Sequence, residues 1–207
     1  MRFFGLTPDR ISPASNFPGE PASSWTFSVV YGGLSFGAVS VLAYSIWAFK
    51  LIPGAAAMYL GIAAIYIGCT GLALGRLVPG PGRSKRFALL FAVTFACYAL
   101  LWCAFWFGLK GRHQADLWGS LFGLAVMTWL ILRAFGVRNE FVTAFAVLFT
   151  LHTIGYYLGG ELHSLVRGST GQLLYGAGHG IGFGAGLGHI LYRCQPGLVT
   201  RHAREIW

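Results

Sequence analysis

Five titratable side chains stand apart by their setting: His152, Glu161, His163, His179 and His189. All five fall in the last two long apolar stretches of the chain, where an ionisable group is costly and usually serves a function. Imidazole exchanges its proton near neutral pH, and with a carboxylate it also ligates zinc, iron or copper. One chemistry is therefore a metal site formed by His152, His163 and His179, with zinc or iron as the expected ion. A second is an acid–base site with Glu161, His163 and His179 as catalytic groups. A third is a proton relay. Paired haem ligation ranks below these, because a macrocycle between two helices would push them apart. The non-chemical counterpart is a hydrogen-bonded network of His, Tyr and Glu that holds the hairpin together. No HxxxH or HExxH spacing occurs, so position rather than motif carries the signal.

On a helix, His152 and His163 are separated by eleven residues, about 20° around the axis, so they share a face with Tyr156. Glu161 points away from that face unless the helix rotates or bends near Gly159 and Gly160. If residues 166–172 (VRGSTGQ) form a turn centred on Gly171, then His163 faces His179 and His152 faces His189. The two levels lie roughly 15 Å apart at about 1.5 Å rise per residue.

The last stretch carries glycine at 176, 178, 180, 182, 184, 186 and 188. On a helix these make two stripes, one of Gly176, Gly180, Gly184 and Gly188, the other of Gly178, Gly182 and Gly186. Such stripes admit close neighbours on two sides, and His179 and His189 lie beside the second. A lone glycine-alternating strand is excluded, because it cannot satisfy its backbone in lipid.

The run from Gly178 to Gly186, with His179 ahead of a glycine-rich stripe, resembles the last helix of the rhomboid intramembrane proteases. Six helices with cytoplasmic termini also fit that family. The resemblance implies a serine nucleophile near the outer start of the fourth helix. Ser120, in Trp118-Gly119-Ser120-Leu121-Phe122-Gly123, occupies that place, and His179 would be its base in acyl transfer. The sequence departs from the family's Gly-x-Ser-Gly, because Gly119 directly precedes Ser120 and Leu121 follows it. The second-helix His and Asn are missing from residues 51–75, and no Trp-Arg motif follows the first helix. The resemblance covers about one helix.

The elements that must position these groups follow from composition. Of 207 residues 56% are hydrophobic and only 10% charged, against about 25% charged in an average soluble domain. Mean hydropathy is +0.63. A disordered chain, a collagen-like chain and an ordinary soluble enzyme are excluded. Apolar runs long enough to cross a bilayer, about 20 residues, occupy 25–49, 51–75, 87–109, 117–132 (reaching 137 if Arg133 snorkels), 141–160 (running on to 165) and 172–192. The fold class is therefore all-α: a polytopic membrane protein with six transmembrane helices over 25–194, a polar N-terminal segment 1–24 and a tail 195–207.

The net charge of +9 comes from 15 Lys and Arg against 6 Asp and Glu. With the N-terminus inside, Arg2, Arg10, Arg76, Arg83, Lys85, Arg86, Arg133, Arg138, Arg193, Arg201 and Arg204 are cytoplasmic, while Lys50, Lys110, Arg112 and Arg167 are outside. This bias favours both termini in the cytoplasm of a cell with an inner or plasma membrane. Nucleic acid is rejected as a partner, since no basic run interleaves with stacking aromatics. Residues 1–24 lack the apolar core of a signal peptide, so the run from Trp25 acts as an uncleaved anchor. Cys69, Cys97, Cys103 and Cys194 form no CxxC pair and read as small buried apolar groups.

The expected function is an intramembrane metal or acid–base site acting on an apolar or lipid-like substrate drawn from membrane lipid. Two alternatives stand beside it. One is a non-enzymatic subunit or scaffold that docks another membrane protein, or oligomerises, through the glycine-rich last helix. The other is a rhomboid-like protease using Ser120 and His179.

Overall fold

The computed structural model describes residues 23–78 and 83–195. The expected N-terminal segment and C-terminal tail, with His202, lie outside it except for residues 23, 24 and 195, as does the tip of the basic loop at 79–82. Six long α-helices follow one another: α1 Trp25–Ala48, α2 Ala55–Leu74, α3 Arg83–Gly108, α4 Ala115–Phe135, α5 Phe141–Val166 and α6 Gly168–Arg193. A 3-10 turn, Gly75–Leu77, ends α2, and no strand occurs among the described residues. Five helices, α1 to α5, are long and apolar enough to cross a membrane. The sixth has the length, but its glycines and histidines make it less apolar.

Local chemistry sets the boundaries. Ser24 caps α1, its hydroxyl accepting the Phe27 amide at 3.1 Å, which satisfies one of the donors left open at a helix start. Asp116 sits in the first turn of α4, where a carboxylate favours the helix dipole. Gly136, at φ 79°, closes α4 in the left-handed conformation, its amide bonding back to the Arg133 carbonyl; glycine adopts that conformation without strain.

Each helix packs on its sequence neighbours, and α6 returns to α1, so the six close into a ring. The α1–α6 and α5–α6 interfaces are the most extensive. The middle is filled by aromatic and aliphatic side chains: Phe36, Phe87, Phe91, Leu124, Met127 and Phe183 are fully buried.

The glycine stripes do what their spacing implies. Gly180 faces Gly37 and Ser40, Gly184 faces Gly32 and Phe36, and Gly188 faces Ser28, all on α1. The second stripe faces α5: Gly178 meets Gly155 and Gly159, Gly182 meets Leu151 and Gly155, and Gly186 meets Leu148. A Cβ on Gly182 would run into the Leu151 carbonyl, and one on Gly188 into that of Ser28. Thirteen of the 26 residues of α6 are buried. A helix covered on two sides needs little lipid-compatible surface, which explains its modest apolarity.

The expected hairpin register is not the observed one. The reversal is tighter than residues 166–172, because Arg167 (φ 56°) and Gly168 (φ 59°) make the turn and Ser169 already belongs to α6. The Ser169 hydroxyl donates to the Ala48 carbonyl at 2.9 Å, tying this turn to the end of α1. Facing residues such as Gly159 and Tyr175, or His163 and Gly171, have numbers that sum to 334, whereas a turn centred on Gly171 requires 342. The glycine contacts between α5 and α6 lock this shorter register.

Candidate functional site

The register decides which histidines meet. His152 lies near the middle of α5 and His179 near the middle of α6. Between the two helices a Cβ on Gly155 would collide with the Gly178 carbonyl. That close approach lets two imidazoles on adjacent positions bridge the helices. His152 Nε2 and His179 Nε2 are 3.1 Å apart, with ring centroids 5.0 Å apart and planes at 83°. His152 is 1% exposed and His179 9%.

Two tyrosines complete the pair. The Tyr98 hydroxyl on α3 lies 3.2 Å from His152 Nε2, and the Tyr44 hydroxyl on α1 lies 3.3 Å from His179 Nδ1. Phe183 packs edge-on against His152 with centroids 5.1 Å apart, and Tyr156 stacks over the same ring at 6.2 Å. The polar centre is thus enclosed by aromatic rings, in surroundings where a hydrogen bond is stronger and an unpaired polar atom more costly than in water.

One atom of the centre is open. His152 Nδ1 is buried without a hydrogen-bond partner, and so is the Thr153 hydroxyl beside it. His152 and Thr153 line a cleft of about 10 Å³ together with Tyr156 and Tyr157 of α5 and Asp116, Leu117 and Ser120 of α4. That space is about the size of one water molecule.

A neutral imidazole holds one proton on one of its two nitrogens. The shared Nε2–Nε2 contact therefore has two arrangements. In one, His152 donates through Nε2–H to His179 and keeps Nδ1 as a lone pair. In the other, His179 donates and His152 carries its proton on Nδ1. The pair can offer the same point in space as base or as acid.

The expected site residues are distributed unevenly. His152 and His179 come together, although sequence spacing had paired each with another histidine. His163 sits near the α5–α6 turn, stacked on Tyr175 with centroids 6.3 Å apart and edge-on to Trp47 at 5.3 Å. Glu161 is exposed. His189 lies at the opposite end of the bundle, where Trp25 Nε1–H donates to its Nδ1 at 2.9 Å. Among the described residues no three His, Cys, Asp or Glu side chains gather as a metal ion would require. Ser120 is buried in the His152 cleft and is a polar neighbour of the Tyr98 hydroxyl. It shares no hydrogen bond with His179 among the described residues. The four cysteines are free.

Tyr44, Tyr98, Thr153 and Asp116 were not singled out from the sequence. The available signal was a hydroxyl deep inside an otherwise apolar helix, since such a tyrosine needs a partner. Comparison with protein-family models, with curated proteins and with solved structures found no match to the chain.

Proposed function

We propose that this chain is a six-span membrane protein of the cell membrane, with both termini cytoplasmic, whose His152–His179 pair is an acid–base site acting on an apolar or lipid-like substrate. The sixth span is α6, which packs between α1 and α5 and has the length to cross with them. The observation that carries the reading is the open Nδ1 of His152, buried beside a cleft while Nε2 of the same ring is shared with His179. Other buried polar atoms, His163 Nδ1 and His189 Nε2 among them, also have no protein partner, but His152 is the one whose other nitrogen is shared with a second histidine.

In the working cycle His152 accepts a proton from the substrate at Nδ1 and gives it back from the same atom before the cycle closes. The positive charge formed in between is spread over two imidazoles through the Nε2 contact. Tyr98 orients His152, and Tyr44 orients His179. Among the described residues no third His, Cys, Asp or Glu side chain joins the two imidazoles as a metal ion would require. The glycine stripes of α6 face α1 and α5 of the same chain. Docking of another membrane protein through α6 would therefore use its remaining face, around the half-exposed Ile181.

The test is lipid conversion. Purified protein is reconstituted with total lipid extract of its expression host, and lipid species are followed by mass spectrometry. Wild-type protein should convert at least one species. His152→Gln and His179→Gln should lose about 10²-fold or more of that rate while retaining cooperative unfolding. No conversion by wild type, or equal conversion by both variants, overturns the reading.

A further inference from the structure

Resting on the acid–base reading, we infer that the seam between α4 and α5 is the lateral entrance to His152, and that it admits an amphiphile whose head is a hydroxyl or a primary amine.

Every residue lining the cleft belongs to α4 or α5. These two helices are the least closely packed neighbours in the ring, and the arrangement of glycine explains why. On α4, Gly119 faces Trp102 and Gly123 faces Tyr98, so α4 is drawn onto α3. On α5, Gly155 and Gly159 face α6. These four glycines face each helix's other neighbour, and no glycine of α4 or α5 closes the seam between them. Of the cleft residues, Tyr157 of α5 is exposed and Leu117 of α4 half-buried, so the seam reaches the surface at apolar and aromatic side chains.

Two features of the cleft select the head group. Its size accommodates one oxygen or nitrogen rather than a phosphate or a carboxylate. Its lining includes the polar residues Asp116, Ser120, Thr153 and His152, and His152 Nδ1 and the Thr153 hydroxyl have no partner in the protein. Asp116 also interacts with Tyr156, which stacks over His152. A carboxylate at the entrance repels anionic heads and attracts an ammonium or a hydroxyl. A head held there places its proton against His152.

Photolabelling tests the entrance. Reconstituted protein is exposed to diazirine-bearing probes of one chain length: a long-chain alcohol, a long-chain amine and a long-chain carboxylate. The alcohol and amine should label residues 116–120 and 153–157, the carboxylate should not, and Thr153→Trp should abolish labelling by filling the cleft. Asp116→Asn, a milder change, should weaken amine labelling about tenfold, as expected when a charge-assisted hydrogen bond is lost, and alcohol labelling much less. His179→Gln, whose side chain does not line the cleft, should keep the labelling and lose lipid conversion. Labelling elsewhere, unaffected by Thr153→Trp, overturns the entrance. If His152→Gln still abolishes conversion in that case, the acid–base site stands without this entrance. Strong labelling by the carboxylate overturns the head-group assignment.

Discussion

His152 and His179 stand 27 positions apart in sequence and meet Nε2 to Nε2 at 3.1 Å. The contact exists because Gly155 and Gly178 bring their helices within reach of two imidazoles. The Tyr98 hydroxyl meets the shared His152 Nε2, and the Tyr44 hydroxyl meets the outer nitrogen of His179, Nδ1.

Removing one hydroxyl tests this support. Tyr98→Phe and Tyr44→Phe keep the ring volume and delete one partner each. Each should lower unfolding free energy by about 0.5–1.5 kcal/mol, read by thermal or denaturant unfolding in detergent. Lipid conversion should fall more with Tyr98→Phe, whose hydroxyl touches the ring that faces the cleft.

The residues expected from sequence but found elsewhere provide a contrasting prediction. Glu161 is exposed and His163 stacks on Tyr175 near the turn. Glu161→Gln should leave lipid conversion within about twofold of wild type, since a surface substitution away from the site changes free energies by about ±0.5 kcal/mol. His163→Ala should cost stability through lost aromatic packing, yet retain conversion once folded. A loss of about a hundredfold in either, with folding intact, would place the chemistry at the turn.

Helix approach is the third point of attack. Gly182→Ala and Gly188→Ala each drive a methyl into a neighbouring carbonyl, so each should destabilise by about 1–3 kcal/mol, the usual cost of overpacking. Nothing lies within 4 Å of a Cβ placed on Gly160. Gly160→Ala should therefore be neutral or stabilising by about 0.5–1 kcal/mol. Parallel unfolding curves decide it, and equal effects at all three positions would contradict the glycine contacts.

At the other end of the bundle, Arg193 of α6 donates to both carboxylate oxygens of Glu140, at 3.0 and 2.5 Å, just ahead of α5. The pair is half-buried, so Glu140→Gln should cost about 1–2 kcal/mol, more than an open surface pair. A double-mutant cycle with Arg193→Gln measures the coupling, and a coupling near zero would contradict a structural role.

Particular residues explain what the sequence made legible. The two glycine stripes of α6 were readable as two close interfaces because a period of four residues admits one geometry on a helix. Five spans were readable from apolar length alone. The pairing of histidines was not, because it depends on where the chain reverses. Ser169 and Thr170 look like loop residues but lie inside α6, and the turn at Arg167 and Gly168 moves every facing residue by about two turns. Tyr44 and Tyr98 were hidden for another reason. A tyrosine in an apolar helix reads the same whether it faces lipid or a buried imidazole, and only tertiary packing separates the two.

The central claim is that the imidazole pair can present His152 Nδ1 as a base, and ¹⁵N NMR of histidine-labelled protein in lipid bilayers reads this directly. The account predicts that the Nε2 atoms of His152 and His179 show intermediate, exchange-averaged shifts, with His152 Nδ1 unprotonated for part of the time. A single fixed tautomer with His152 Nδ1 permanently protonated would contradict it.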